Sequence, residues 1–217
     1  MRKIILLFLL TGILSNCTAQ NTTKSKEKKI SKEMIPTIDK NFEVFDSQKF
    51  NNSKKENPYV LREFLSDGNY LELDQGSYGK GYKLTPKNSF YQILKLYYKN
   101  GNIKIKGVGF NGNGFHVGTW YEFDESGNVI KETDYDKPYQ FTFEEIVKFC
   151  ENEKIPLQKG PILQSTGYHT VIRRNFNSEG SWWQIEWLKK PNTIEIITLD
   201  GNTGKVLKRQ EAEYTNN

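Results

Sequence analysis

The residues best equipped for chemistry in this chain of 217 residues are few and far apart. There are two histidines, His116 and His169, and two cysteines, Cys17 and Cys150. A zinc site gathers three or four His, Cys or carboxylate ligands, usually with some of them a few residues apart. Neither histidine has a cysteine or a second histidine at such spacing, so no metal or cofactor is expected. His116 borders a glycine-rich stretch, where it could meet a ligand; on a strand it reads more simply as a half-buried residue. Cys150 falls on the apolar side of a helical pattern with nothing nearby to stabilise a thiolate, so it reads as a small buried hydrophobe. Gly107, Gly109, Gly112, Gly114 and Gly118 suggest a phosphate loop. However, no Gly-Lys-Ser/Thr follows and no helix starts there, and turns and bulges explain them better. Asp200, Asn202 and Thr203 resemble the start of a calcium loop, with Glu211 at its closing position. The glycines fall at the wrong places for oxygen ligands to alternate, which leaves a plain turn. No Ser-His-Asp or paired-carboxylate motif announces an enzyme, and none is expected.

Recognition is better served than catalysis. Trp120, Trp182, Trp183 and Trp187 are large and amphipathic, and such residues anchor interfaces when exposed. On a strand, Trp182 and Trp183 point to opposite faces, so one of them is exposed or covered by another layer. With His116 they make up the candidate binding surface, although core packing would claim most of them.

The elements that must position these residues are mainly strands. Leu61 to Phe64 is followed by Ser66-Asp67-Gly68-Asn69, Leu96 to Lys99 by Asn100-Gly101-Asn102, and Trp120 to Phe123 by Glu125-Ser126-Gly127-Asn128. Asp-Gly and Asn-Gly tolerate the positive φ that tight hairpins need. Alternation puts Leu94, Leu96, Tyr98, Ile103 and Ile105 on one face, with Lys104 and Lys106 opposite. Tyr97-Tyr98-x-x-Gly101 and Gly118-x-Trp120-x-Glu122-Phe123 resemble the MORN-repeat variant found in bacterial proteins described as antitoxin components. The resemblance covers about 60–135 and implies a stacked hairpin array. The stretch from Phe110 to Phe115 departs from it as a longer, open loop.

Thr142-Phe143-Glu144-Glu145 forms a capping box. Phe143, Ile146, Val147 and Cys150 then share one helical face, and the helix should stop near Glu153, before Ile155-Pro156. Strands are expected over 169–176, 182–188 and 194–199, with a last one starting at Lys205. The helix, the strands and the Asp200-Gly201-Asn202-Thr203-Gly204 turn are similar to the PepSY-type domain, whose members are mostly regulatory or inhibitory envelope modules.

At the N-terminus, Arg2-Lys3 precedes an apolar run from Ile4 that is too short and too early to span a bilayer. Leu14-Ser15-Asn16-Cys17 then resembles a bacterial lipobox, which implies cleavage before Cys17 and acyl chains, such as palmitate, on that cysteine. Several buried chains give stable anchoring. No acidic residue follows in Thr18-Ala19-Gln20, which by the same resemblance points to the outer membrane, facing the periplasm.

Net charge is +5, and two of those charges are Arg2 and Lys3, within the cleaved segment. The remaining Lys and Arg are interspersed with acids, so no nucleic-acid face is expected. The expected organisation is a signal peptide over 1–16, a polar tether over 17–38, a MORN-like repeat domain over 39–138 and a helix with a second sheet over 139–217. The fold class is α+β and β-dominated: an antiparallel hairpin array, then a helix packed on a second antiparallel sheet. The expected role is a lipid-anchored, protein-binding or structural envelope module with an unidentified envelope protein as partner. The resemblance suggests an alternative, an immunity protein that neutralises a toxin.

Overall fold

A computed structural model describes residues 35–53, 57–112, 115–163 and 167–214. Residues 1–34, and with them Cys17 and most of the expected tether, lie outside the described residues. Seven strands run in chain order across one antiparallel sheet: β1 (Val60–Phe64), β2 (Tyr70–Gly76), β3 (Gly79–Thr85), β4 (Tyr91–Tyr97), β5 (Ile103–Phe110), β6 (His116–Phe123) and β7 (Val129–Asp134). A short helix α1 (Ser47–Asn52) precedes them and α2 (Phe143–Glu153) follows. Then β8 (Val171–Asn177), β9 (Gly180–Lys190), β10 (Thr193–Asp200) and β11 (Val206–Glu213) make a second antiparallel meander. The β-dominated α+β class is as expected.

The turns form where Gly sits in an Asp-Gly, Asn-Gly or Ser-Gly step. Leu65, Tyr98 and Asp124 each donate their backbone N–H to the carbonyl four residues on, and each accepts from the glycine three residues on. Those glycines, Gly68, Gly101 and Gly127, all have positive φ, which a residue bearing a Cβ resists. The three turns do not share one end of the sheet. The β4–β5 and β6–β7 turns lie together, joined by Asn102 Nδ2 donating to the Glu125 carbonyl at 2.8 Å. The β1–β2 turn closes the opposite end, so the hairpin in phase with those two is β2–β3.

Alternation alone misjudges β5. The pairing shifts between Leu96 and Tyr97, so that Leu96 faces Ile105 but Tyr97 faces Ile103. This bulge turns Ile103 into the core beside Phe45, Phe50 and Tyr97 and leaves Ile105 outside with Leu96. Lys106, expected at the surface, is 3% exposed. It lies directly opposite Lys95, an arrangement that is repulsive without counter-charge. The segment before α1 supplies that charge. Lys106 contacts Asp39 at 3.1 Å and Glu43 at 3.0 Å, and Lys95 pairs with Glu43.

The capping box is formed at Thr142, and α2 buries Phe143, Ile146 and Cys150. Lys154 ends the helix in the left-handed region. This face packs into a core that also contains Phe90, Phe110 and Phe115 from the first sheet and its connections, and Ile172, Trp183 and Leu199 from the second. That core crosses the expected 138/139 boundary, and all described residues belong to one compact unit. The connection expected to be open is closed at its flanks. Phe110 and Phe115 stack at 5.4 Å, and both meet Phe143 edge-on.

Candidate binding face

The seven-stranded sheet buries one face and leaves the centre of the other to solvent. On the outer face the register sets Leu94 opposite Gly107 and Leu96 opposite Ile105. Leu94, Leu96 and Ile105, with Asp74, His116 and Trp120, border a depression of about 370 Å³. Leu96 is 47% exposed there.

Trp120 forms a wall of this depression. A Cβ at Gly107 would lie 2.2 Å from its ring, so the indole rests flat on bare backbone. Its Nε1 donates to the Val108 carbonyl at 2.9 Å. His116 stacks above it with ring centroids 3.6 Å apart, and Tyr135 meets His116 edge-on at 4.7 Å. Trp120 is therefore only 5% exposed. The His116 carbonyl accepts from Arg174 on β8. Arg174 also pairs with Asp136 at 2.7 Å, and Asp136 accepts from the Gly118 N–H at 3.0 Å. Burial, with the Arg174 charge adding to it, holds the His116 imidazolium below its ordinary 6.5. The ring is thus neutral at pH 7.

Lys83 borders the same depression. It pairs with Glu72, which Arg62 also engages at 3.0 Å. Burial, then the nearby Arg62, lowers the pKa of the Lys83 ammonium. Beyond Lys83 the surface opens into a second hollow of about 1000 Å³, bordered by Gln92, Asn111, Tyr168, His169 and Tyr214. Tyr168 donates to Glu186 at 3.3 Å, and burial, then Glu186, pushes its phenol up. The two histidines, remote in sequence, thus border adjoining hollows that share Lys83. Sequence spacing carries no sign of this, because the segment after α2 brings His169 there.

The four tryptophans do not form one platform. Trp183 is 0% exposed, lies edge-on to Phe115 at 5.0 Å and donates to the Phe141 carbonyl at 2.9 Å. It is a core residue. Trp182, one position earlier, is half-buried on the other side of β9. Trp187 is partly buried, its Nε1 donating to Glu195 at 3.0 Å in a cluster with Lys189 and Arg209. Of the expected surface, only His116 and Trp120 come together.

Cys150 is fully buried, and burial, then Glu151 and Glu153, pushes its thiol up to about 12. It is not a thiolate at neutral pH. Asp200 Oδ1 accepts from the backbone of Asn202 and Thr203 and from the Thr203 hydroxyl, the pattern of a self-satisfied turn. Among the described residues no group of three or more His, Cys, Asp or Glu could hold a metal ion. None of their helices is long and apolar enough to cross a membrane. No family model matches the chain, nor does any curated protein or solved structure.

Proposed function

We propose that this chain is a membrane-tethered binding module of the bacterial cell envelope, held by lipid on Cys17 and acting through contact with a partner protein. The observation that carries the binding role is the open outer face of the seven-stranded sheet. It exposes Leu96 at its centre and has ion pairs at its sides, Arg62–Glu72–Lys83 on one and Lys131–Glu122 on the other. An apolar centre within a charged rim is the anatomy of a protein interface. The MORN-variant reading is supported by two in-phase hairpins, β4–β5 and β6–β7, with matching turn bonds. The tether reading is supported by Arg2-Lys3, the apolar run and Cys17. If the partner is a toxin, the role is immunity.

Chemical cross-linking in intact cells, followed by purification of the chain, tests the role. The expected result is a reproducible protein adduct. A defined glycan or lipid ligand in its place, or turnover of a substrate by the purified chain, overturns it. For the tether, Cys17→Ser should release the protein from the membrane fraction, and full-length protein that stays membrane-bound overturns the anchor.

A further inference from the structure

Each sheet ends in two edge strands, β1 and β7 in the first, β8 and β11 in the second. β11 is open along its length, with every residue from Leu207 to Glu213 exposed. Just beyond it, Tyr214 donates its N–H to the Asn192 carbonyl on the β10 side at 3.0 Å. Residues of an antiparallel strand turn their backbone groups alternately toward one neighbour and the other. Ala212, Gln210 and Lys208 therefore bond to β10, while Glu213, Glu211 and Arg209 turn their N–H and C=O groups outward. Such an edge is a template for another strand.

The order of charges on β11 indicates which strand. Two copies of one strand pair antiparallel about a two-fold axis through a single residue, which faces itself. Residues equally far on either side of it then face each other. About Gln210, Arg209 falls opposite Glu211 twice, Lys208 opposite Ala212 and Leu207 opposite Glu213. No like charges meet. Moving the axis by one residue sets Arg209 or Glu211 against itself, which is repulsive. The other edges lack this property. β8 contains no acid, and no axis within β1 or β7 sets an acid of the strand opposite one of its bases.

Both partners are accessible, the Arg209 side chain at 37% and that of Glu211 at 52% exposure. Among the described residues Lys189 engages Oε1 of Glu211 at 2.8 Å, which leaves Oε2. Arg209 reaches Glu195 and Glu153 through one N–H on each terminal nitrogen, and a guanidinium has further N–H groups to give. The same register makes Arg209 and Glu211 the residues that exchange backbone bonds across the axis.

We infer that this chain forms a symmetric dimer by pairing β11 with β11 of a second copy about Gln210, joining two four-stranded sheets into one. The inference is separate from the partner and tether readings, which concern the first sheet and Cys17.

The register gives the test. Gln210 faces itself in a pair without backbone hydrogen bonds, where Cα atoms lie about 4.5 Å apart, within reach of a disulfide. Purified full-length Gln210→Cys in detergent, oxidised with copper phenanthroline, should give a disulfide-linked dimer that wild type does not. Lys208→Cys should not, because its two copies lie about 13 Å apart along the paired strands at the ~3.3 Å rise of a strand. In sedimentation velocity the wild type should be dimeric at micromolar concentration. Arg209→Glu and Glu211→Arg each set like charges opposite twice and should raise the dimer Kd at least about tenfold, with thermal midpoints near wild type. Mixed in equal amounts, these two variants set acid opposite base again and should form a heterodimer. A wild type that stays monomeric overturns the inference. So does Lys208→Cys that cross-links as readily as Gln210→Cys, or charge variants that dimerise as wild type does. Failure of the mixture to associate overturns it as well. Where a charge variant does not fold, the two cysteine variants decide.

Discussion

Gly107 owes its identity to Trp120. Gly107→Ala would force the indole off the backbone, and overpacking of this kind costs about 1–3 kcal/mol. Urea unfolding should show that loss, and an unchanged midpoint would mean the ring has room to shift. His116 has a different signature. Its folded pKa lies below 6.5, so the unfolded chain binds the proton more tightly. The stability this neutral ring contributes is complete above about 6.5 and declines as pH falls toward the folded pKa. His116→Phe keeps an aromatic ring on Trp120 and removes the titration. Thermal midpoints between pH 7 and pH 5 should therefore fall less in His116→Phe than in wild type; equal declines would remove His116 as the cause.

Elements were legible wherever a local rule decides them. The capping box at Thr142 and the stop at Glu153 follow from neighbours within one turn, and both are present. Thr142→Ala should cost about 1 kcal/mol, the usual worth of such a cap, read from urea midpoints; a neutral result would mean tertiary contacts alone hold the first turn. Hairpin turns were equally local. The face of Ile103 was not, because a bulge of one residue at the β4–β5 pairing reverses the side on which a side chain lies. Nor was the helix α1, six residues long, too short to show a periodicity. The burial of Lys106 needed Asp39 and Glu43, which are remote in sequence.

At the scale of the whole molecule, the shared core makes the two sheets mutually dependent. Phe143 on α2 contacts Phe90, Phe110 and Phe115 and also Trp183. Trp183→Ala should cost about 3–5 kcal/mol and weaken both sheets in one transition. Near-ultraviolet and far-ultraviolet circular dichroism would follow it, and separate midpoints for the two signals would show that the sheets unfold independently.

Composition and short-range pattern were enough for the β-dominated class, the turns and the helix with its buried face, because each depends on residues close in sequence. The same reading of nearby residues led to Cys150 as a core thiol and Asp200 as a turn. Tertiary structure alone decided which tryptophans are core, which face of the first sheet is open, and that Lys83, His116 and His169 border one continuous surface. Those outcomes depend on register and on contacts between distant strands, and a shift of a single residue in pairing moves a side chain from one face to the other.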